Sequence, residues 1–148
     1  MPSAETPMNV VTHPFVFRLL QVRRATWLTP HMVRITLEGE ALAGFRSDAA
    51  DDGARLYFPS DPTDGTSWIP ELDGSTLVFP GGQKPPNHEY TPRRYDPVAG
   101  ELDIDFVVHG EGPASTWAAN AKPGHYLGLS GPRRSRVINE EDVDWYLL

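Results

Sequence analysis

Cysteine is missing from the chain, which excludes disulfide bonds, thiolate metal sites and cysteine nucleophiles. A reducing compartment is compatible with that composition. No apolar run reaches the length of a membrane span and no charged-then-apolar leader opens the sequence, so a soluble cytoplasmic protein is expected. Positive charge is also scarce: 13 basic side chains stand against 20 acidic ones, a net charge of −7. Nonspecific nucleic-acid binding rests on clustered positive charge and is not expected here. The five histidines, at positions 13, 31, 88, 109 and 125, lack the spacing of a metal site. No serine sits in a nucleophile-elbow setting, and no carboxylate pair stands out as general acid and base. Asp103 and Asp105 read as solvent-facing strand residues.

What is present is turn chemistry. Fifteen prolines and thirteen glycines in 148 residues fall between short apolar segments, the punctuation of an all-β domain. A chain of this length can bury roughly 68–70% of its unfolded surface and forms one domain without a covalent staple. Residues 1–13 lack a pattern and read as a flexible N-terminal arm; residues 14–148 form the domain. Residues 15–27 read as a first strand. A second follows with Val33, Ile35 and Leu37 on one face and Met32, Arg34, Thr36 and Glu38 on the other. "EALAGF" (40–45) reads as a helical turn, "RSDAADDG" (46–53) as a polar loop and "ARLYFP" (54–59) as a third strand. Residues 60–87 form a long excursion containing one short strand at most.

A hairpin comes next. Tyr90 to Tyr95 runs up, "DPVAGE" turns, and residues 102–109 run back with Leu102, Ile104, Phe106 and Val108 sharing a face. After the loop "GEG", "PASTWAANA" (113–121) is the one convincing helix, with Pro113 in the first turn, where its missing donor costs nothing. "HYLGLSGP" (125–132) is a further strand. Six strands in antiparallel order with one short helix predict a small closed barrel, which also removes exposed edges.

Two segments carry chemistry. In "VVHGEGPASTW" (107–117) a strand passes through a glycine loop into a helix whose unpaired amides suit a phosphate. Gly112 would let the backbone approach closely and Ser115 would add a hydroxyl; the alternative is an ordinary turn in which Ser115 caps the helix. In "HEYTPRRYDP" (88–97), His88, Tyr90 and Arg94 project to one side and Glu89, Thr91, Arg93 and Tyr95 to the other. Tyr90 beside Thr91 would stack on a flat heterocycle and bond its edge, and an arginine nearby would clasp a phosphate. The pairs Arg23/Arg24 and Arg93/Arg94, with Arg133, Arg134 and Arg136, form basic spots that read either as anion sites or as solvated strand edges.

The stretch "YTPRRYDPVAGELDIDFVVHGEGPASTWAANAKPGHYLGLSGPRRS" (90–135) closely resembles the flavin-binding domain of the siderophore-interacting proteins, bacterial ferric-siderophore reductases of the ferredoxin-reductase superfamily. The resemblance extends to "LTPHMVRITLEGEALAGF", "DDGARLYFP" and the closing "DVDWYLL". It implies a six-stranded antiparallel Greek-key barrel binding FAD. The family's Arg-x-Tyr-Thr motif falls on His88, Tyr90 and Thr91, which would hold the flavin ring. His109 and Gly110 match its His-Gly, and Gly112, Pro113, Ala114 and Ser115 match its diphosphate turn. Electrons would pass from NAD(P)H or another donor such as ferredoxin, through the flavin, to the iron of a ferric siderophore or to another small molecule.

There are departures from the family pattern. The motif arginine is His88, so the clasp would fall to Arg93 or Arg94. The residue after Tyr-Thr is Pro92 rather than aliphatic, which suggests an edge or bulge at the flavin face. Residues 143–148 match the start of a second, nucleotide-binding α/β domain that the 148 residues do not include. Residues 145–148 would then pack on the barrel, pair with another chain, as in a homodimer, or dangle. The competing expectation is a stand-alone barrel that has lost flavin and binds or converts an apolar small molecule by confinement, in a cavity lined by Tyr90, Phe106 and Trp117.

Overall fold

The computed structural model describes residues 9–12, 16–45, 53–74, 76–131 and 134–137. The loop expected at 46–53 and the segment 143–148 lie outside the described residues, apart from Gly53. Seven strands form one antiparallel sheet: β2 (Phe17–Thr29), β3 (Met32–Glu38), β4 (Ala54–Tyr57), β7 (Asn87–Tyr90), β8 (Arg94–Asp96), β9 (Glu101–Val107) and β10 (Tyr126–Ser130). Their spatial order is β7-β4-β10-β2-β3-β9-β8. Two small ladders accompany it, β1 (Asn9–Thr12) with β11 (Arg134–Val137) and β5 (Glu71–Asp73) with β6 (Thr76–Val78). The helix α1 (Pro113–Ala119) follows β9.

The sheet's two edge strands, β7 and β8, are consecutive in the chain and separated by only residues 91–93. Four residue steps span at most roughly 14 Å, so the edges must approach each other and the sheet curls into a half-barrel. The segment expected as one strand from Tyr90 to Tyr95 is therefore two. Its first part pairs with β4 (Ala54↔Tyr90) and its second with β9 (Arg94↔Asp103). Pro92 sits at the break, where its missing amide hydrogen removes a ladder donor, and the Arg93 amide resumes pairing by donating to the Asp103 carbonyl at 2.8 Å.

The alternation of β3 and β9 matches expectation on the inner face, where Val33, Ile35, Leu37, Leu102, Ile104 and Phe106 are all buried. Leu20 and Val22 of β2, Leu56 of β4 and Leu127 and Leu129 of β10 complete the wall. The interior is filled by side chains, as in other small barrels. Phe106 stacks against Tyr90 at 4.7 Å and Trp117 at 5.8 Å between centroids. The Phe106 ring thus packs on both Tyr90 and Trp117. The helical turn expected after Gly39 is a 3₁₀ turn, Glu40–Leu42, and Leu42 and Phe45 join the core below it.

The outer face of β2, β3, β9 and β8 corrects the expectation that Asp103 and Asp105 face solvent. Register places Arg24, Thr36, Asp103 and Arg94 in one row across four strands. Asp103, only 6% exposed, accepts from the Thr36 hydroxyl at 2.7 Å and from Arg94 at 2.9 Å. Asp105 takes two hydrogen bonds from Arg34, at 2.7 and 2.9 Å. Glu101 meets Arg23, Arg24 and Arg94 at 3.0, 3.1 and 2.9 Å. Arg23 has no partner in the β2–β3 register, so it is the extra residue of a β-bulge. The bulge aims consecutive arginines at one carboxylate. Arginines 23, 24, 34, 93 and 94 thus face Glu38, Asp96, Glu101, Asp103 and Asp105, five charges of each sign.

The long excursion has a packing reason. Gly128 lies outward on β10, and the Phe17 ring covers it, with Trp68 beside it. Tyr57 and Phe79 complete an aromatic cluster with Phe17, at 5.7 and 6.3 Å, and the Tyr57 hydroxyl bonds Ser130 at 2.9 Å. The excursion therefore roofs the sheet with Trp68 and Phe79. A Cβ at position 128 would overlap the Phe17 ring and stand 3.1 Å from Trp68. Gly128→Ala is expected to lower stability by about 1–3 kcal/mol, the ordinary cost of overpacking, seen as a lower denaturant midpoint with an unchanged slope.

Hydrogen bonds from Arg24 and Arg94 hold the Glu101 carboxyl down at about 2, against an ordinary value of 4.5. Burial works against charge on Asp103, yet bonds from Arg94 and Thr36 prevail and its carboxyl also lies below its usual range. Folded-state values below the unfolded ones contribute stability that is present above the unfolded value and is lost as pH falls through the folded one. Thermal midpoints should accordingly fall between about pH 4.5 and 2. Glu101→Gln should lower the midpoint at neutral pH and make that acid fall shallower; an unchanged profile would count against the ladder's role.

Candidate functional site

A cavity of about 500 Å³ opens where β7 and β8 part. β9 has β3 along its whole length, but β8 pairs only with Glu101, Leu102 and Asp103. The cavity occupies the slot beside the remainder of β9, where Asp105 and Val107 line it. His88 and Tyr90 of β7 form one wall, and His109, Gly112, Pro113, Ala114 and Ser115 form another. Its volume lies in the ordinary range for small-molecule sites.

Tyr90 is half-buried. Its ring lies 4.7 Å from Phe106 and 6.4 Å from Phe58, and burial pushes its phenol pKa up. His88 lies 5.8 Å from the Tyr90 ring. Asp105 is already paired with Arg34 and, at 3.4 Å, with Arg93. Asn87 is held by Arg55, which donates to its side-chain oxygen at 2.7 Å.

The loop after β9 is shaped by Ser115. Its hydroxyl donates to the His109 carbonyl at 3.1 Å and accepts from the His109 amide at 3.3 Å. The residue at the helix cap is Gly112, with no side-chain cap bond, so Ser115 cinches the loop and does not cap the helix. Gly110 has φ of 72°, a left-handed conformation that favours glycine. Gly112 has φ of −64° and ψ of 161°, available to any residue, and no protein atom lies within 4 Å of where its Cβ would stand.

Seven of the ten candidate residues named from sequence line this one cavity: His88, Tyr90, His109, Gly112, Pro113, Ala114 and Ser115. Thr91 and Arg93 are exposed and, with Gly110, do not line it. Arg94, considered as a phosphate clasp in place of the motif arginine, is committed elsewhere: it binds Asp96, Glu101 and Asp103 on the outer ladder. Arg23 and Arg24, read as a basic spot, are likewise neutralised there by Glu38 and Glu101. Phe58, Pro86, Asn87, Asp105 and Val107 also line the cavity and were not singled out from sequence. Phe58 and Pro86 meet because the Phe58 amide donates to the Pro86 carbonyl at 2.9 Å, a contact between residues far apart in the chain that leaves no periodic signal.

Residues 21–136 match the family model of the siderophore-interacting FAD-binding domain. An NADPH-dependent ferric-chelate reductase of Escherichia coli is 42% identical over 125 residues, covering 84% of this chain and 48% of that enzyme. A ferric vibriobactin reductase of Vibrio cholerae is 38% identical over 132 residues, covering 88% of this chain and 48% of the reductase. A siderophore utilization protein from T. fusca superposes with a TM-score of 0.78 at 39% identity, covering 90% of this chain and 51% of the other. The chain thus spans about half the length of these relatives. Among the described residues no helix is long and apolar enough to cross a membrane, and no group of three or more His, Asp or Glu side chains is placed to hold a metal ion.

The residues present fit FAD, the cofactor of this domain family. The aromatic wall of Phe58 and Tyr90 offers flat apolar contact to a ring. The one lining carboxylate, Asp105, is neutralised by Arg34, and the space at Gly112 lets a ligand approach the backbone. The two glycines differ in what they contribute. Gly110→Ala is expected to cost about 1–2 kcal/mol through its left-handed backbone, whereas Gly112→Ala should stay within about 0.5 kcal/mol. Urea denaturation of the two variants checks the contrast.

Proposed function

Because this chain belongs to the siderophore-interacting FAD-binding domain family, we propose that it holds FAD in the cavity between Tyr90 and the 109–115 loop and serves a ferric-siderophore reductase. The observation that carries this reading is the convergence of His88, Tyr90, His109 and residues 112–115, from two separate segments, on one slot. Tyr90 packs the flat ring against the barrel wall. Thr91, exposed at the strand break outside the cavity lining, would bond only the edge of a ring that projects past Tyr90. The loop fixed by Gly110 and cinched by Ser115 receives the phosphoryl groups, with His88 standing where the family motif has arginine. Arg93, exposed and only loosely paired with the lining residue Asp105 at 3.4 Å, is a guanidinium able to turn toward them.

When bound, FAD supplies the electron-transfer chemistry, and the protein supplies binding and orientation. Electrons would arrive from NAD(P)H or ferredoxin by way of a second domain and leave to the iron(III) of a siderophore in the cytoplasm. On the same reading β7 and β8 count as one strand broken at Pro92, which closes a six-stranded barrel with Greek-key connections.

The test is retention of flavin. Protein incubated with FAD and desalted should keep the yellow absorption of bound flavin. Tyr90→Ala, which removes the ring's wall, should weaken FAD binding at least about tenfold, a loss of 1.4 kcal/mol or more. Ser115→Ala should weaken it less, acting through the loop. A folded protein that leaves the column colourless would overturn the reading.

A further inference from the structure

Among the described residues that line the slot there is no lysine or arginine, and only His88 and His109 can become cations there. They stand on separate walls, His88 on β7 and His109 in the loop after β9, and both are exposed to solvent protons. His88 Nδ1 lies 3.4 Å from the Glu89 carbonyl oxygen. A carbonyl only accepts, so this contact puts the hydrogen of the neutral ring on Nδ1 and leaves Nε2 a bare acceptor. Protonation turns Nε2 into a charged donor. His109 is fixed through its backbone, whose amide and carbonyl both bond the Ser115 hydroxyl.

The charged and titratable neighbours of the pair are otherwise engaged. From β4, Leu56 faces His88 in register, flanked by Arg55 and Tyr57. Arg55 meets Glu89 at 4.0 Å, and Tyr57 bonds Ser130. Tyr90 lies 5.8 Å from His88, ring to ring. From β9, Asp105 is held by Arg34 and Arg93. Glu111 follows His109 in the loop, and helix α1 carries no ionisable side chain. The His31 carbonyl accepts from the Val108 amide, but His31 does not line the slot.

We propose that His88 and His109 act as one proton-operated clamp on the flavin's diphosphate, holding it when protonated and releasing it as pH rises. The inference rests on the flavin reading above and deepens it by assigning the regulation of that site. A bound diphosphate favours the protonated rings, so they hold protons more tightly in the complex than in the free protein. Binding is then full below the free-state value and weakens as pH rises through the bound-state one. Imidazole ordinarily changes charge between about pH 5 and 8, whereas the diphosphate of FAD keeps its charge across that range. Any pull from Arg93 is permanent and adds a part that does not vary with pH. The carboxyls of Glu101 and Asp103 lie below their ordinary values, so the outer ladder stays ionised and the fold unaltered over the same range.

Flavin-fluorescence titrations at about pH 6 and about pH 8, with FAD and with riboflavin, which has no phosphate, test this. FAD affinity should fall about tenfold or more across the interval, while riboflavin affinity stays level. The double variant His88→Gln with His109→Gln should give a level FAD profile at the weaker value. His88→Arg, whose charge is permanent, should keep FAD tightly bound at the higher pH, a gain that only a folded protein can show. A level FAD profile in the unsubstituted protein would overturn the clamp and leave the flavin reading standing. So would a slope that survives in the double variant or appears equally with riboflavin. Failure of the unsubstituted protein to bind FAD at either pH would remove both.

Discussion

Pro92 carries no amide hydrogen, and around it the chain leaves β4 and crosses to β9. The curvature of the sheet depends on this transfer, because β7 and β8 stand at opposite ends of the strand order yet are three residues apart in the chain. The same transfer creates the site. A continuous strand would have paired with β9 to its end; the broken one leaves a slot beside Asp105 and Val107 with Tyr90 on its flank. Backbone hydrogen-bonding capacity at that edge is thus given over to a ligand-sized opening.

Around the slot the structure is stiffened from two sides. Inside, Phe58, Tyr90, Phe106 and Trp117 pack ring against ring, so the wall of the cavity is also the core of the barrel. Outside, the balanced ladder of arginines and carboxylates ties β2, β3, β9 and β8 together. Individual exposed pairs contribute little. Here Glu101 and Asp103 are covered by the arginines that neutralise them, and the network also determines which cations remain near the site. Arg94 is consumed by it, and Arg93 is held only loosely through Asp105.

On the proposed flavin reading, His88 stands where the resemblance implies an arginine. A guanidinium is permanently charged and forked, whereas an imidazole offers fewer donors and a charge that depends on pH. On that reading the loop at 109–115, shaped by a left-handed glycine and a serine clamp, would carry more of the recognition than a motif arginine would leave to it.

Alternation along β3 and β9, the glycine after β3 and the proline opening α1 were legible in the sequence, since each is a local rule with a period or a fixed position. So were the two segments that line the cavity, by their likeness to a known domain. Register was not legible. Sequence shows Asp103, Arg94 and Thr36 as separate polar residues, and only the stacking of four strands makes them one row. Nor could it show that Arg94 faces the ladder rather than the cavity, that Phe58 and Pro86 meet, or that Trp68 and Phe79 roof Gly128. Local preferences belong to the chain itself; which side chains become neighbours across the sheet is set by pairing between distant segments, and that is where the tertiary structure decided.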